Sequence, residues 1–272
     1  FDYTRMIVLQ RNLSFSLVCK TVSTQKNNFL KPSLSSLEYL ITKLRRDDLD
    51  IFCDQWIAER ENPTVLDFGS RKAPYRGMVE SAGAKFIAAD FSVSTERRDI
   101  DTNIHENGRL ALSDESVDVV LSLQVLEHVS DVSLYLSEAQ RVLKPGGLLW
   151  LTTHGMWPYH PTPDDYTRWT MAGLIRELSQ YVTVVDTRAL LGGPAYSFLI
   201  FLRLWFILTR RVNLIQCRVL NRFTGKRWGK EGVPREARIQ AHYLYLGNLL
   251  FDVPAFVLNI LIEVIDKVTS AK

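Results

Sequence analysis

The stretch Thr64-Val-Leu-Asp-Phe-Gly-Ser-Arg-Lys-Ala-Pro-Tyr75 decides the fold class of this 272-residue chain. An apolar run at Val65 and Leu66 ends in Asp67, and Gly69 follows two residues later. This order is typical of the first strand and tight turn of an α/β unit, in which the strand carries an acid to the carboxyl edge of a parallel sheet. Because such folds bind their ligands at that edge, the stretch also predicts where a binding site lies.

A second apolar run, Lys85-Phe-Ile-Ala-Ala-Asp90, ends in an acid 21 residues beyond Gly69. An acid about 20 residues after the glycine turn is placed to hydrogen-bond the hydroxyls of a ribose. The two runs therefore predict a pair of carboxylates, Asp67 and Asp90, on neighbouring strands of one sheet.

Residues 118–153 predict a βαβ unit. Residues 118–124 form a nearly continuous apolar run, as expected for a strand covered on both faces. A helix is predicted over 133–143, and Pro145-Gly-Gly147 ends it before the next strand at 148–153. Since a strand, a crossover helix and a second strand make a parallel pair, we expect a doubly wound, mainly parallel α/β sheet.

Five segments within residues 60–190 resemble the class I S-adenosylmethionine-dependent methyltransferases, and among them the subgroup with a type-11-like domain. In chain order they are Val65-Leu-Asp-x-Gly69, Ile87-Ala-Ala-Asp90, Ser116-Val-Asp-Val-Val-Leu-Ser122, Val125-Leu-Glu-His-Val129 and Arg141-Val-Leu-Lys-Pro-Gly-Gly147. The last two are the most specific to the subgroup. The resemblance implies a Rossmann-like domain that takes its methyl group from S-adenosyl-L-methionine.

The resemblance also implies cofactor-binding residues, namely Asp67, Gly69, Ser70, Asp90, Phe91 and Gln124. Asp67 would organise the loop at the methionine end, Asp90 would accept from the ribose, and Gln124 ends the strand where cofactor and acceptor meet. Similar enzymes carry a second glycine where this chain has Arg71. A positive φ there would cost on the order of 1 kcal/mol or more. The alternatives are that Arg71 crowds the cofactor or that the turn takes another shape.

Residues 154–170 concentrate titratable and aromatic side chains after the next strand. Such a loop at the carboxyl end of a sheet favours an acceptor pocket, because aromatic faces bind sugars or planar ligands and His or Asp can take a proton. The stretch 160–170 resembles methyltransferases found with polysaccharide and glycolipid assembly. The alternative is a rigid loop that only packs around an Asp165–Arg168 pair. The predicted base is His154, His160 or Asp164, and the predicted substrate-binding residues are Trp157, Tyr159, Tyr166, Arg168 and Trp169.

Upstream of that loop, Glu127 and His128 are predicted to begin a helix, with Glu127 as an acid of its first turn. Downstream, Thr170 is predicted to cap a helix, and residues 181–188 are predicted to form the sixth strand. No seventh strand can be identified.

The flanks divide the chain into three predicted parts: an N-terminal segment with a covering helix (1–59), the methyltransferase domain (60–190) and a hydrophobic, basic helical extension (191–272). Two apolar stretches in the extension, 195–208 and 246–265, are not clean membrane spans. In the second, the polar residues fall on one helical stripe, at Asp252, Asn259, Glu263 and Asp266. The apolar faces could pack within the chain, form a homodimer, or lie on a membrane surface that suits the basic residues between 203 and 230.

Composition narrows the function classes. The net charge of +3 is too small to argue for nucleic acid, and three scattered cysteines without metal spacing indicate a reducing compartment and no metal site. We expect a cytoplasmic enzyme, or one peripheral on the inner face of the membrane, that methylates a hydroxyl of a saccharide or lipid-linked saccharide. The alternatives are methylation of a lipophilic small molecule such as a quinone or isoprenoid, and a non-catalytic, membrane-linked scaffold of the same fold.

Overall fold

The computed structural model describes residues 5–6, 29–32, 34, 39–91, 100–159, 164–191, 194–205, 208 and 253–270. The chain forms two compact units. The first comprises Phe1–Gln25 and Asp47–Arg188, and the second comprises Lys26–Arg46 and Ala189–Lys272. The loop residues 160–163 lie outside the described residues.

The first unit is built on a seven-stranded sheet in which every pairing is parallel. Its strands are β1 (Arg5–Met6), β2 (Thr64–Phe68), β3 (Lys85–Phe91), β4 (Thr102–Ile104), β5 (Val117–Leu123), β6 (Leu143–Thr152) and β7 (Thr183–Val184). The strand order is β4-β3-β2-β5-β6-β1-β7, so the doubly wound prediction is confirmed. The order reverses between β2 and β5, which makes the carboxyl ends of these two strands the expected ligand crevice.

The helices largely follow the predicted pattern. They are α1 (Tyr39–Phe52, extended by a π-helical turn at Cys53–Ile57), α2 (Arg76–Ser81), α3 (Val132–Val142), α4 (Met171–Leu178), α5 (residues 194–205) and α6 (Val253–Ser270). Asp131 caps α3 by accepting from the Leu134 amide at 2.9 Å. Thr170 caps α4 as predicted, accepting from the Gly173 amide at 3.1 Å.

One predicted strand is shorter in the structure, and one strand of the structure was not predicted. The predicted sixth strand, residues 181–188, is reduced to the two residues of β7. The position between β6 and β7 is occupied by β1, whose Arg5 pairs with Leu148 on one side and Thr183 on the other. The N-terminal segment, for which the sequence predicted only a covering helix, therefore also supplies a strand of the sheet.

The main core lies between the sheet and the helices that cover it, and it holds a buried polar link. Leu66, Val120 and Leu136 are among its fully buried side chains. Tyr135 of α3 stacks on Phe68 of β2 with ring centroids 4.1 Å apart. Its hydroxyl donates to the Phe68 carbonyl at 3.0 Å and shares a 2.8 Å hydrogen bond with the hydroxyl of Ser122. This link fixes α3 against the carboxyl ends of β2 and β5.

The second unit has a smaller core of its own. Tyr39, Leu40, Ala195 and Ile262 form this core, with Leu34, Leu44 and Leu191 packed against it. Within the part of the chain that the structure describes, no helix combines the length and apolar character that crossing a bilayer requires.

Candidate functional site

Two buried carboxylates lie at the carboxyl ends of β2 and β3. The register pairs Asp67 with Ala88, which brings Asp90 to the edge beyond Asp67 on the neighbouring strand. Asp67 is 2% exposed and Asp90 is 7% exposed. Burial, and secondarily the charge of Asp90, raises the pKa of Asp67 to about 7, while the charge of Arg76 opposes that shift. The predicted placement of two acids on neighbouring strands is confirmed.

Gly69 allows the turn after β2 to pass close to the loop after β5. Its φ is +91°, and a Cβ at this position would lie 2.7 Å from Val125 Cγ2. The amides of Gly69 and Ser70 both donate to the carbonyl of Ala89, at 2.9 and 3.0 Å, which ties the turn to β3. A side chain at Gly69 would therefore meet both backbone strain and a clash.

Polar atoms at this edge of the sheet fit a polar ligand. Ser70 Oγ and Gln124 Oε1 are buried and have no hydrogen-bond partner among the described residues. Gln124 adopts a φ of +58° while its amide donates to the Thr152 carbonyl at 2.9 Å, so the backbone fixes its position. Since leaving a buried polar group unpaired costs about 1–3 kcal/mol, such atoms are expected where a ligand supplies the partner. The amino, carboxyl and hydroxyl groups of S-adenosylmethionine are suitable partners.

The remaining predicted cofactor residue, Phe91, is 46% exposed at the end of β3, and its amide donates to Asp90 Oδ1 at 2.7 Å. Arg71 has a φ of +51°, so the expected positive φ at a non-glycine residue is confirmed. Its side chain is exposed.

Glu127 is a buried acid, and it does not lie in the first turn of an α-helix as the sequence predicted. It lies in a separate 3-10 turn, Leu126–His128, and α3 begins only after the cap at Asp131. The Glu127 residue is 0% exposed. Thr153 Oγ1 donates to its Oε2 at 2.9 Å, and its Oε1 lies 3.3 Å from His154 Nε2 and 3.8 Å from His128 Nε2. The motif Val125-Leu-Glu-His-Val129 was the sequence signal for this residue, but its partners come from the end of β6.

The loop after β6 is anchored on the Glu127 turn. The amides of Tyr166 and Thr167 donate to the Glu127 carbonyl at 2.8 and 3.3 Å, and His128 Nδ1 hydrogen-bonds the Asp164 carbonyl. The loop is closed further by the Trp169 amide, which donates to the His154 carbonyl at 3.2 Å. His154 is therefore held in place by the same loop that carries the predicted acceptor-binding residues.

Within this loop, His154 stacks on Trp157 with ring centroids 5.3 Å apart and an interplanar angle of 12°. Arg168 makes a double contact with the Asp165 carboxylate and donates to the carbonyls of Trp157 (2.9 Å) and Pro158 (3.2 Å). The hydrogen bond to Asp165 raises the pKa of the Arg168 guanidinium. This side chain holds the loop together.

The other predicted residues of the loop differ in exposure. Tyr159 and Tyr166 are 74% and 57% exposed, and Asp164 is exposed as well. Trp169 is partly buried, and its Nε1 is buried without a hydrogen-bond partner among the described residues. His160 lies outside the described residues. Over the same described part of the chain, no three His, Cys, Asp or Glu side chains are grouped as a metal site.

Comparisons with known proteins point to one family. Residues 66–151 match the family model described as a methyltransferase domain. A ubiquinone biosynthesis O-methyltransferase of Brucella melitensis is 43% identical over 103 residues, which cover 34% of this chain and 42% of that protein. The protein of the same name from Rhizobium etli is 31% identical over 103 residues, with the same coverage. The chain thus spans about two fifths of the length of these curated relatives. The crystal structure of a SAM-dependent methyltransferase from Aquifex aeolicus aligns with 17% identity and a TM-score of 0.37, over 54% of this chain and 87% of that one.

Proposed function

We propose that this chain, which carries a class I S-adenosylmethionine-dependent methyltransferase domain matched over residues 66–151, transfers a methyl group to a hydroxyl oxygen of a small-molecule acceptor. One observation supports a hydroxyl as the methyl acceptor. The buried Glu127 carboxylate lies 3.3 Å from His154 at the carboxyl end of β6. A hydroxyl must lose its proton when it is methylated, so this reaction needs a base beside the cofactor site.

The cofactor site would use Asp67, Ser70, Asp90 and Gln124. The cofactor would supply hydrogen-bond partners to the buried oxygens of Ser70 and Gln124, which have none among the described residues. When bound, the cofactor supplies a methyl carbon already activated by its positively charged sulfur. The protein must then align the acceptor oxygen with that carbon and exclude water.

His154 would take the proton of the acceptor hydroxyl. The Glu127 carboxylate beside it orients the ring and stabilises the imidazolium that forms. Stacking on Trp157 fixes the plane of the same ring. The Thr153 hydroxyl binds the Glu127 carboxylate, and the amides of Tyr166 and Thr167 bind the Glu127 carbonyl. These contacts fix Glu127, which in turn orients His154.

An aromatic hydroxyl is the acceptor that these residues favour. A phenol ionises near pH 10, much closer to the working range of an imidazole than an aliphatic alcohol does. Trp157, Tyr159 and Tyr166 offer rings against which a planar acceptor can stack, and buried Trp169 Nε1 offers a donor. The relatives named as ubiquinone biosynthesis O-methyltransferases agree in reaction type.

A saccharide hydroxyl is the second candidate. Exposed aromatic rings such as those of Tyr159 and Tyr166 also bind sugar faces, and the stretch 160–170 carries the sequence resemblance to methyltransferases of polysaccharide assembly. Because a sugar hydroxyl is less acidic than a phenol, its methylation would depend more strongly on the base. The two acceptor classes can therefore be separated by their dependence on Glu127 and His154.

The test measures S-adenosylhomocysteine release with simple catechols and with methyl glycosides. We expect turnover with catechols, reduced about 10²-fold or more in kcat by Glu127→Gln and by His154→Asn. Calorimetric binding of S-adenosylmethionine should stay within a few-fold of wild type in both variants. Met156→Ala, at a position in the same loop that is 77% exposed, serves as the control. Wild-type turnover in both variants would refute the base assignment. The absence of any cofactor binding at millimolar concentration would instead support the scaffold alternative.

A further inference from the structure

We propose that the outward apolar residues of α5 and α6 dock onto the interfacial region of an anionic lipid bilayer. These residues, called the outer apolar set below, are Phe198, Phe201, Leu204, Leu208, Val257, Ile260, Leu261 and Val264. They belong to the second compact unit and take no part in the site described above.

Two polar residues of α6 lie on the side of the helix that faces the second unit. Asn259 is 0% exposed, and its Nδ2 donates to the Leu34 carbonyl at 2.6 Å. Glu263 also faces the unit, with its carboxylate 3.2 Å from Lys43 Nζ and 3.5 Å from the Tyr39 hydroxyl. Of the polar residues that the sequence placed on one stripe, Asn259 and Glu263 therefore face the protein.

Four apolar residues of α6 point outward, whereas Ile262 faces the core of the unit. Val257, Ile260, Leu261 and Val264 are between 40% and 52% exposed. A helix on a water-facing surface normally buries its apolar stripe and exposes its polar one. Because α6 exposes four apolar residues on one face, the surroundings of that face are expected to be apolar.

Helix α5 is apolar on both sides. Ala195, Leu199 and Leu202 are fully buried within the second unit. On the opposite side, Phe198, Phe201, Leu204 and the helical residue Leu208 follow one another at spacings of three, three and four, and they are 38–57% exposed. That spacing lines one face of a helix, so the exposed side chains form a stripe and are not scattered.

The charge of the sequence around and after the end of α5 indicates what the outer apolar set binds. Residues 203–230 contain eight Lys and Arg residues and no Asp or Glu. A second copy of the chain would carry the same excess of positive charge in this stretch of sequence, and like charges disfavour self-association. Anionic lipid headgroups attract such a segment while the acyl boundary receives apolar side chains.

Vesicle flotation tests the proposal with the full chain. We expect flotation with phosphatidylcholine–phosphatidylglycerol vesicles, weakened by salt and by omission of the anionic lipid. The double variant Ile260→Asn/Leu261→Asn should lower the vesicle partition coefficient about tenfold or more, because it removes two apolar anchors. The matched control is Ile51→Asn/Val185→Asn, which alters residues of the first unit that are similarly exposed, at 44% and 54%. The control should stay within about twofold of wild type.

A site-specific probe keeps the test decisive if the double variant does not fold. An environment-sensitive fluorophore on Leu261→Cys, with Cys19 and Cys217 replaced by Ser, should shift to the blue when vesicles are added. The same label on Ile51→Cys should not shift. No flotation on anionic vesicles in low salt, or equal shifts at both labels, would overturn the proposal. So would sedimentation that shows a dimer sensitive to Ile260→Asn/Leu261→Asn in a chain that does not float.

Discussion

The buried Asp67 carboxylate makes cofactor affinity depend on pH. Burial and the charge of Asp90 raise its pKa to about 7, so the group is largely protonated in mildly acidic solution. S-adenosylmethionine carries positive charge on its sulfur and its amino group, and an ionised Asp67 attracts that charge while a neutral one does not. If only the ionised form binds well, the apparent dissociation constant varies inversely with the ionised fraction.

The size of the effect follows from that pKa. With a pKa of about 7, the ionised fraction rises from about 3% at pH 5.5 to about 50% at pH 7. The dissociation constant should therefore fall roughly 16-fold over this interval. The interval lies below the range of about 7.7–8.0 in which an α-amino group titrates, so the amino group of the cofactor keeps its proton.

Calorimetric titration in buffers of different ionisation enthalpy measures both the affinity and the proton released on binding. In Asp67→Asn the pH dependence should vanish, and the affinity should approach that of the wild type at pH 5.5. Asp54→Asn, at an exposed position in another element, serves as the control. A wild-type affinity that stays flat between pH 5.5 and 7, or a pH dependence that survives in Asp67→Asn, would refute the reasoning.

The same carboxylate affects folding. Because its folded-state pKa lies above the ordinary value of 3.8, its favourable contribution is fully present below pH 4 and is lost as pH rises through about 7. The upper bound on this loss is on the order of 4 kcal/mol, at 1.36 kcal/mol per pKa unit. Denaturant melts of wild type and Asp67→Asn should therefore diverge in this interval, with the variant becoming relatively more stable.

Three further substitutions test the turn and the loop. Gly69→Ala should cost roughly 1–3 kcal/mol more in the free energy of unfolding than Gly83→Ala, since both have φ near +90° but only the first meets a neighbouring side chain below 3 Å; chemical denaturation measures the difference. Arg168→Lys should speed proteolysis of the loop after β6, because lysine cannot reproduce the double contact with Asp165 and the two carbonyl contacts. Arg71→Gly should raise the free energy of unfolding by about 1 kcal/mol, as measured by urea melts, without weakening cofactor binding.

The sheet and the pair of acids Asp67 and Asp90 could be predicted because their sequence signals are local. The apolar run of β5 and the acids near the carboxyl ends of β2 and β3 lie within short windows of sequence. Parallel pairing then brings the strand ends to one edge, which places Asp67 and Asp90 together without further information. The cap at Thr170 is local in the same way, and it was predicted correctly.

The part of the site around Glu127 depends on contacts between segments that are distant in sequence. Glu127 sits in a turn, and its side-chain partners Thr153 and His154 follow more than 25 residues later. Strand β1 has two residues, too few for an alternating pattern, so only its pairing with β6 and β7 defines it. The polar spacing of Asn259 and Glu263 was visible in the sequence, but only their contacts with Leu34 and Lys43 show which way these two residues face.

The turn after β2 explains why the chain tolerates Arg71 where similar enzymes carry glycine. Arg71 and Ala73 both adopt positive φ, at +51° and +45°, which costs about 1–2 kcal/mol each. The surrounding contacts outweigh this cost, because the Gly69 and Ser70 amides bind the Ala89 carbonyl and the Ala73 amide donates to the Ser70 carbonyl at 2.8 Å. The exposed Arg71 side chain therefore adds strain without entering the site.

Replacing Arg71 by glycine should release that strain and leave Ser70 in place, which is the basis for the expected gain in stability. Asn62→Gly is the matched control, since Asn62 also has a positive φ, +47°, but precedes β2 on the side away from the turn. Asparagine tolerates this conformation better than arginine, so the gain at Asn62 should be the smaller of the two. If Arg71→Gly were destabilising, or if it weakened cofactor binding, the Arg71 side chain would have to contribute contacts to the site, contrary to its exposed position.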